Sequence, residues 1–164
     1  GMSQATDRIV EVCAIEVDDD FNEIDSFHAF INPQRKVPWF VTRIHGLNNE
    51  FLDDKPIFSD IGRDLLLFLE GSELWAHNMS FDAGMLNAEF ARNRLPTLEK
   101  VDCRLNCTLQ LARSTFPGQK NSLDALLDRF AIDRSERRLH GAMIDTRLLV
   151  KVYQNLVSYR TKTS

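Results

Sequence analysis

The sequence runs to 164 residues, 43% hydrophobic and 27% charged, with a formal net charge of −4. That size and balance fit a single globular domain, residues 1–164, with a buried core; no apolar run reaches the ~20 residues that span a bilayer, and the polar N-terminus lacks the start of a signal peptide. The acidic balance excludes a protein that grips nucleic acid by bulk positive charge, though divalent cations can supply positive charge locally where a phosphate sits.

Arg8 to Val17 is a β-branched, apolar run in which both alternating faces are apolar, so a strand covered on both sides is predicted. Asp18, Asp19, Asp20 and Asn22 make a turn, and Glu23 to Ile31 return as the second strand of a hairpin. Gln34 to Asp54 reads as loop and short helix. A helix is predicted from Ile57 to Leu69, with Ile61, Leu65, Phe68 and Leu69 at helical spacing and Gly71 just past its end. Leu74 to His77 is a short strand. Asn78 or Ser80 is placed to cap the following helix, which carries Phe81, Met85, Leu86 and Phe90 inward and runs to Arg94 before Pro96. Leu98 to Asp102 is expected to be a last short strand, and Thr108 to Phe116 a helix broken by Pro117 and Gly118. Ser122 caps a short helix to Phe130, and a long helix from Gly141 to Tyr159 presents Ile144, Leu148, Val152 and Leu156 as one stripe.

Three cysteines, Cys13, Cys103 and Cys107, form no Cys-x-x-Cys, so reduced thiols in a cytoplasmic protein are expected rather than a zinc site. Gly1 ahead of Met2 reads as a residue left by tag removal.

Two segments carry chemistry: His77-Asn78-Met79-Ser80-Phe81-Asp82 and Leu139-His140-Gly141-Ala142-Met143-Ile144-Asp145. Each aspartate falls in the first turn of a predicted helix. Taken singly, such an acid is ordinarily just favourable with the helix dipole. Taken together, two carboxylates and a histidine suit metal-assisted phosphodiester hydrolysis, because hard cations want oxygen ligands and the attacking water needs a base. His140 lies five residues before Asp145, too far around a helix to share its face, so it is placed in the loop leading into the helix.

The pair of segments resembles the second and third motifs of the DEDD-type 3'-5' exonucleases, in the branch that uses histidine as base. The likeness is strongest to the proofreading epsilon subunits of bacterial DNA polymerase III. It extends from Arg8 to Leu156 and includes Phe116-Pro117-Gly118 and Asn121-Ser122-Leu123-Asp124-Ala125-Leu126. The resemblance implies a ribonuclease-H-like α/β fold, a mixed sheet flanked by helices. It also implies Asp82 and Asp145 as metal ligands, His140 as general base, and a two-metal site for Mg²⁺ or Mn²⁺. The expected substrate is a single-stranded DNA 3' end in DNA replication, with a polymerase subunit as partner and no membrane. Ile44 and His45 match a family segment that lies against the terminal nucleotide, with a helix-ending His-Gly as the plain alternative. Asn78 and Phe81 are expected to orient Asp82 or line the nucleotide pocket; a core role serves Phe81 equally.

The family pattern opens with a strand bearing Asp-x-Glu and Thr-Thr-Gly, and Met2 stands at the position after it. The first, central strand is therefore expected to be missing from this chain, with two of four acidic ligands, which leaves little or no activity expected. Glu11, on the neighbouring strand, is a weak replacement and Asp7 a weaker one. The empty slot predicts N-terminal rearrangement or homodimerisation. Arg134, Arg137 and Arg138 read as a solvated turn more than as a phosphate contact, and Cys107, where relatives carry Asp, as a packing residue. Other functions to weigh are a non-catalytic relative that binds nucleic acid or a polymerase subunit, and an RNA-trimming exonuclease.

Overall fold

The computed structural model describes residues 8–35, 49–137 and 141–163. Strands β1 (Glu11–Val17) and β2 (Glu23–Phe30) form an antiparallel hairpin in the register Glu11 to Phe30 and Ala14 to Phe27. Asp18 makes the turn by accepting the backbone N–H groups of Asp20 and Asn22 on Oδ1, each at 2.9 Å. This local bond offers the chain an alternative to the ladder, which is why acids gather there. Val12, Ala14, Phe27 and Ala29 pack on one core cluster. On the opposite face, Cys13 Sγ lies 3.6 Å from Met143 Sδ, so β1 is covered on both sides as its apolar faces predict, though it remains half-buried.

Helix α1 (Asn49–Asp53) precedes α2 (Phe58–Leu69), which buries Phe58, Leu65, Leu66 and Leu69. Gly71 then adopts φ +71°, a left-handed turn with no Cβ penalty. Strands β3 (Glu73–Ala76) and β4 (Arg104–Cys107) pair in parallel, with helix α3 (Met79–Arg92) between them. Leu98 to Asp102 is not the predicted strand: Glu99–Val101 is a 3₁₀ turn and the strand starts at Arg104. Leu98 is fully buried, its N–H held by Asn87 Oδ1 at 2.9 Å, and Asp102 takes φ +63°. The segment is thus locked to α3 as a tight turn, a conformation that Asp tolerates better than most residues.

A second core cluster joins α4 (Thr108–Thr115), α5 (Leu123–Arg129) and α6 (Ala142–Thr163). Ser122 caps α5 as predicted, its Oγ accepting from Ala125 N at 3.1 Å. Leu148, Val152 and Leu156 are the buried stripe of α6, with Ile144 packed beside them. This helix runs four residues past Tyr159, and Arg160 on the added turn bonds the Ser114 and Thr115 hydroxyls of α4 at 3.1 and 2.9 Å.

Among the described residues the strands form two separate two-stranded sheets, β1 pairing only with β2 and β3 only with β4. The expected rearrangement of residues 1–7 lies outside the described residues. Both sheets pack on the first core cluster, and the segment leading into β1 is further tied to α3 by Glu89, which is fully buried. Its carboxylate accepts from Arg8 Nε at 2.8 Å, Ile9 N at 3.1 Å and Arg92 Nη1 at 2.9 Å.

Removing one member of such a buried cluster leaves uncompensated charges and an orphan amide. Glu89→Ala is expected to cost about 3–5 kcal/mol in urea unfolding, against about 1 kcal/mol for loss of the Ser122 cap in Ser122→Ala.

Candidate active site

The corner between β3 and α3 sets Asp82. Asn78 turns the chain with φ +83°, and its carbonyl accepts from Phe81 N at 3.1 Å and Asp82 N at 3.3 Å. Neither predicted cap forms: the Asn78 side chain makes no capping bond, and Ser80 Oγ donates instead to Asn78 Oδ1 at 3.3 Å. The helix start is seated from below, where Cys107 Sγ accepts from Met79 N at 3.4 Å, a packing role at the foot of the helix that carries Asp82.

His77 holds this corner to the second core. Its Nε2 lies 2.7 Å from the Asn121 carbonyl oxygen and its Nδ1 2.8 Å from the buried Thr108 hydroxyl. A carbonyl only accepts, so Nε2 carries the hydrogen and Nδ1 accepts from Thr108. Burial, with the charge of Arg113, pushes the imidazole below its usual pKa despite the Asn121 bond, and it serves as a neutral tie. Asn121 is itself buried, bonding the Phe116 carbonyl at 3.1 Å and accepting from Arg129 at 3.0 Å. Sequence reasoning assigned His77 no role. The available signal was a histidine and a buried-type Asn-Ser pair with no surface task.

Asp82 is half-buried, and among the described residues its carboxylate takes no hydrogen bond or ion pair. Burial alone raises it to about 6. An acid kept dry without a partner is poised to accept a cation. Phe81 beside it is half-buried and, among the described residues, is not packed on either core cluster.

Asp145 sits in the first turn of α6 and faces Arg137. Arg137 Nη2 donates to Oδ2 at 3.3 Å, while Nε stands 2.8 Å from Oδ1. The shorter approach is an ion contact and not a hydrogen bond, because Nε and Oδ1 are both buried without hydrogen-bond geometry. Arg137 also bonds Asp124 of α5, and Arg134 reaches Asp128 at 2.5 Å. At Arg134 the expected solvated turn holds, its pairs with Asp124 and Asp128 lying exposed, whereas the Arg137 side chain is only 10% exposed and forms a part-buried ion pair. Burial opposes the guanidinium charge, but its two carboxylate partners outweigh that and hold its pKa above the usual value.

Glu11 lies at the other side of the same helix start. Its Oε1 accepts from Ala142 N at 3.4 Å, and its Oε2 lies 2.8 Å from His28 Nε2. The acid anchors the N-terminus of α6 to β1, which favours negative charge there. His140, Ile44, His45 and Arg138 lie outside the described residues. Among the described residues no group of three or more His, Cys, Asp or Glu side chains is arranged to hold a metal ion. Asp82 and Asp145 offer the oxygen donors that a hard cation takes, Asp82 without a partner among the described residues and Asp145 with one buried oxygen that lacks a hydrogen bond.

The raised Asp82 has a stability consequence. Its folded-state pKa exceeds the unfolded one, so the folded chain binds more protons between about pH 4 and 6 and stability falls as pH rises through that window. Asp82→Asn removes the penalty. In metal-free buffer it is expected to match wild type near pH 4 and exceed it by roughly 1–2 kcal/mol above pH 6.5, read from urea midpoints at each pH; an unchanged difference across the range contradicts the desolvated carboxylate.

The fold has counterparts in known proteins. Residues 1–153 match the RNase T family model, described as exonuclease. The DNA polymerase III subunit epsilon of Rickettsia conorii is 45% identical over 159 residues, covering 93% of this chain and 67% of that protein. That of Pasteurella multocida is 38% identical over 153 residues, covering 93% and 60%, so the chain spans about two thirds or less of the length of these relatives. Among solved structures, exonuclease X in complex with 5' overhanging duplex DNA superposes with a TM-score of 0.67 at 26% identity, covering 92% of this chain and 82% of that one. Exonuclease I superposes with a TM-score of 0.82 over 96% of this chain and 38% of that one, but at 19% identity it speaks for the ribonuclease-H-like fold alone. With a matching family model over nearly its whole length, the chain belongs to the exonuclease family.

Proposed function

We propose that this chain is a metal-dependent 3'-5' exonuclease domain of proofreading type, which removes nucleoside monophosphates from DNA 3' ends. The observation that carries the reading is Asp82, a half-buried carboxylate that takes no hydrogen bond or ion pair among the described residues. Asp82 and Asp145 are assigned as metal ligands. Mg²⁺ or Mn²⁺, when bound, supplies the positive charge that a phosphodiester needs as negative charge builds at phosphorus, which a chain of net charge −4 does not offer in bulk. His140 takes the proton of the attacking water. Asn78, at the corner, and Phe81, outside the core, face the role of holding the terminal nucleotide, together with Ile44 and His45; apolar and aromatic side chains grip single strands by stacking on any base. A polymerase subunit is the partner proposed, since the relatives are named as subunits of DNA polymerase III.

The test is release of mononucleotides from 5'-labelled single-stranded DNA and RNA in Mg²⁺. It uses the chain alone and the chain with an epsilon-type Asp-x-Glu segment fused ahead of Met2. The form carrying the Asp-x-Glu segment is expected to hydrolyse, with DNA preferred. In the active form His140→Ala is expected to lower the rate by about 10²–10⁴, and Asp82→Asn and Asp145→Asn to abolish it. Hydrolysis indifferent to His140→Ala would refute the assignment.

A second proposal concerns assembly. Among the described residues strands β1 and β3 each pair along one side only, which leaves backbone donors and acceptors for an incoming strand. We infer that a second copy can supply it. Light scattering across a hundredfold range of concentration is expected to show the mass rising toward a dimer; a monomer throughout excludes this mode.

A further inference from the structure

We propose that Arg137 is the counter-ion of Asp145 in the metal-free protein and competes with the divalent cation for that carboxylate. The inference rests on Asp145 being a metal ligand. Its basis is the geometry of the pair. The guanidinium faces both carboxylate oxygens, with Nη2 at 3.3 Å from Oδ2 and Nε at 2.8 Å from Oδ1. The two side chains are 10% and 25% exposed, so solvent screens their attraction less than that of a surface pair. Any cation that approaches Asp145 meets a charge already neutralised.

The contact is also built to exchange. A well-formed arginine–carboxylate pair makes two parallel hydrogen bonds. Here one limb has the distance without the direction, and Asp145 Oδ1 stays buried with its lone pairs unused by any hydrogen. A hard cation satisfies that oxygen better than the misaligned Nε does, and carries twice the charge. Arg137 has somewhere to go, because its Nη1 already bonds Asp124. Asp124 in turn lies 3.7 Å from Arg134, which pairs with Asp128. The guanidinium can thus yield Asp145 and keep a carboxylate partner, so its charge is not stranded when a cation arrives. Asp82 has no equivalent counter-ion among the described residues. The two acids are prepared differently, one left bare and one held in place by an exchangeable positive group.

Competition makes a prediction opposite to that of simple support. If Arg137 only oriented Asp145, its loss would weaken cation binding. If it competes, its loss tightens it. The experiment is calorimetric titration of the full chain with Mn²⁺. Arg137→Met is expected to bind Mn²⁺ roughly three- to tenfold more tightly than wild type, with Arg137→Lys between the two. Its unfolding midpoint should be lower without cation, yet rise more when Mn²⁺ is added. Weaker or unchanged Mn²⁺ affinity in Arg137→Met overturns the proposal, as does absence of Mn²⁺ binding from both proteins at millimolar cation. Binding that appears only in Arg137→Met supports it. A measurement on wild type covers a variant that fails to fold: the Arg137 Nε–H resonance is expected to move on addition of Mg²⁺, and a resonance that stays put overturns the competition. Asp82→Asn and Asp145→Asn separate this inference from the reading beneath it. If Mn²⁺ binding survives both, the ligand assignment fails. If they abolish it while Arg137→Met fails to tighten it, only the competition fails.

Discussion

The two hydrogen bonds of His77 join the end of β3 to the start of α4, through Thr108, and to the residue before the cap of α5, through the Asn121 carbonyl. One core cluster lies on the β3 and α3 side of this imidazole and the other among α4, α5 and α6. A neutral ring with one donor and one acceptor fits the hydroxyl and carbonyl it meets, and burial keeps it neutral. The left-handed turn at Asn78 follows directly, and four residues on stands Asp82. The direction of α3, and with it the carboxylate, is set by a tie that carries no charge of its own.

Electrostatics then divides the acids by what each is for. Glu89 is fully buried and fully engaged, with two arginines and a backbone amide around it, so it works as structure. Glu11 anchors the start of α6 while touching His28. Among the described residues Asp82 has no such partner, and Asp145 has one that meets it imperfectly. Asp82, and the Oδ1 oxygen of the otherwise paired Asp145, thus keep accepting capacity that the described residues do not use. This is the pattern expected where a ligand completes the site.

Much of the fold was legible because its signals are local. The β-branched apolar run of Arg8 to Val17 marked β1, the acids at Asp18 to Asp20 marked its turn, and Ser122 marked the start of α5 through a bond spanning three residues. The 3.6-residue stripe of Leu148, Val152 and Leu156 marked the buried face of α6. The misreadings share a cause. Leu98 to Asp102 has strand-like composition, but Asn87 on another element holds its backbone as a turn. Asn78 has the chemistry of a cap, but the corner demands a left-handed residue there and its carboxamide is turned elsewhere. The extra turn of α6 depends on Arg160 finding hydroxyls on α4, 45 and 46 residues away in sequence.

At the site the same division holds. Sequence by itself determined which residue types are available and that Asp82 and Asp145 each open a helix, because spacing and helix-start chemistry operate within a few residues. Tertiary structure alone decided their electrostatic condition. Whether an aspartate is dry and bare or paired with a guanidinium depends on groups brought up from α5, β1 and the segment before α6. Desolvation and Coulomb interaction act through space, and a linear pattern carries no distance between residues that only folding makes neighbours.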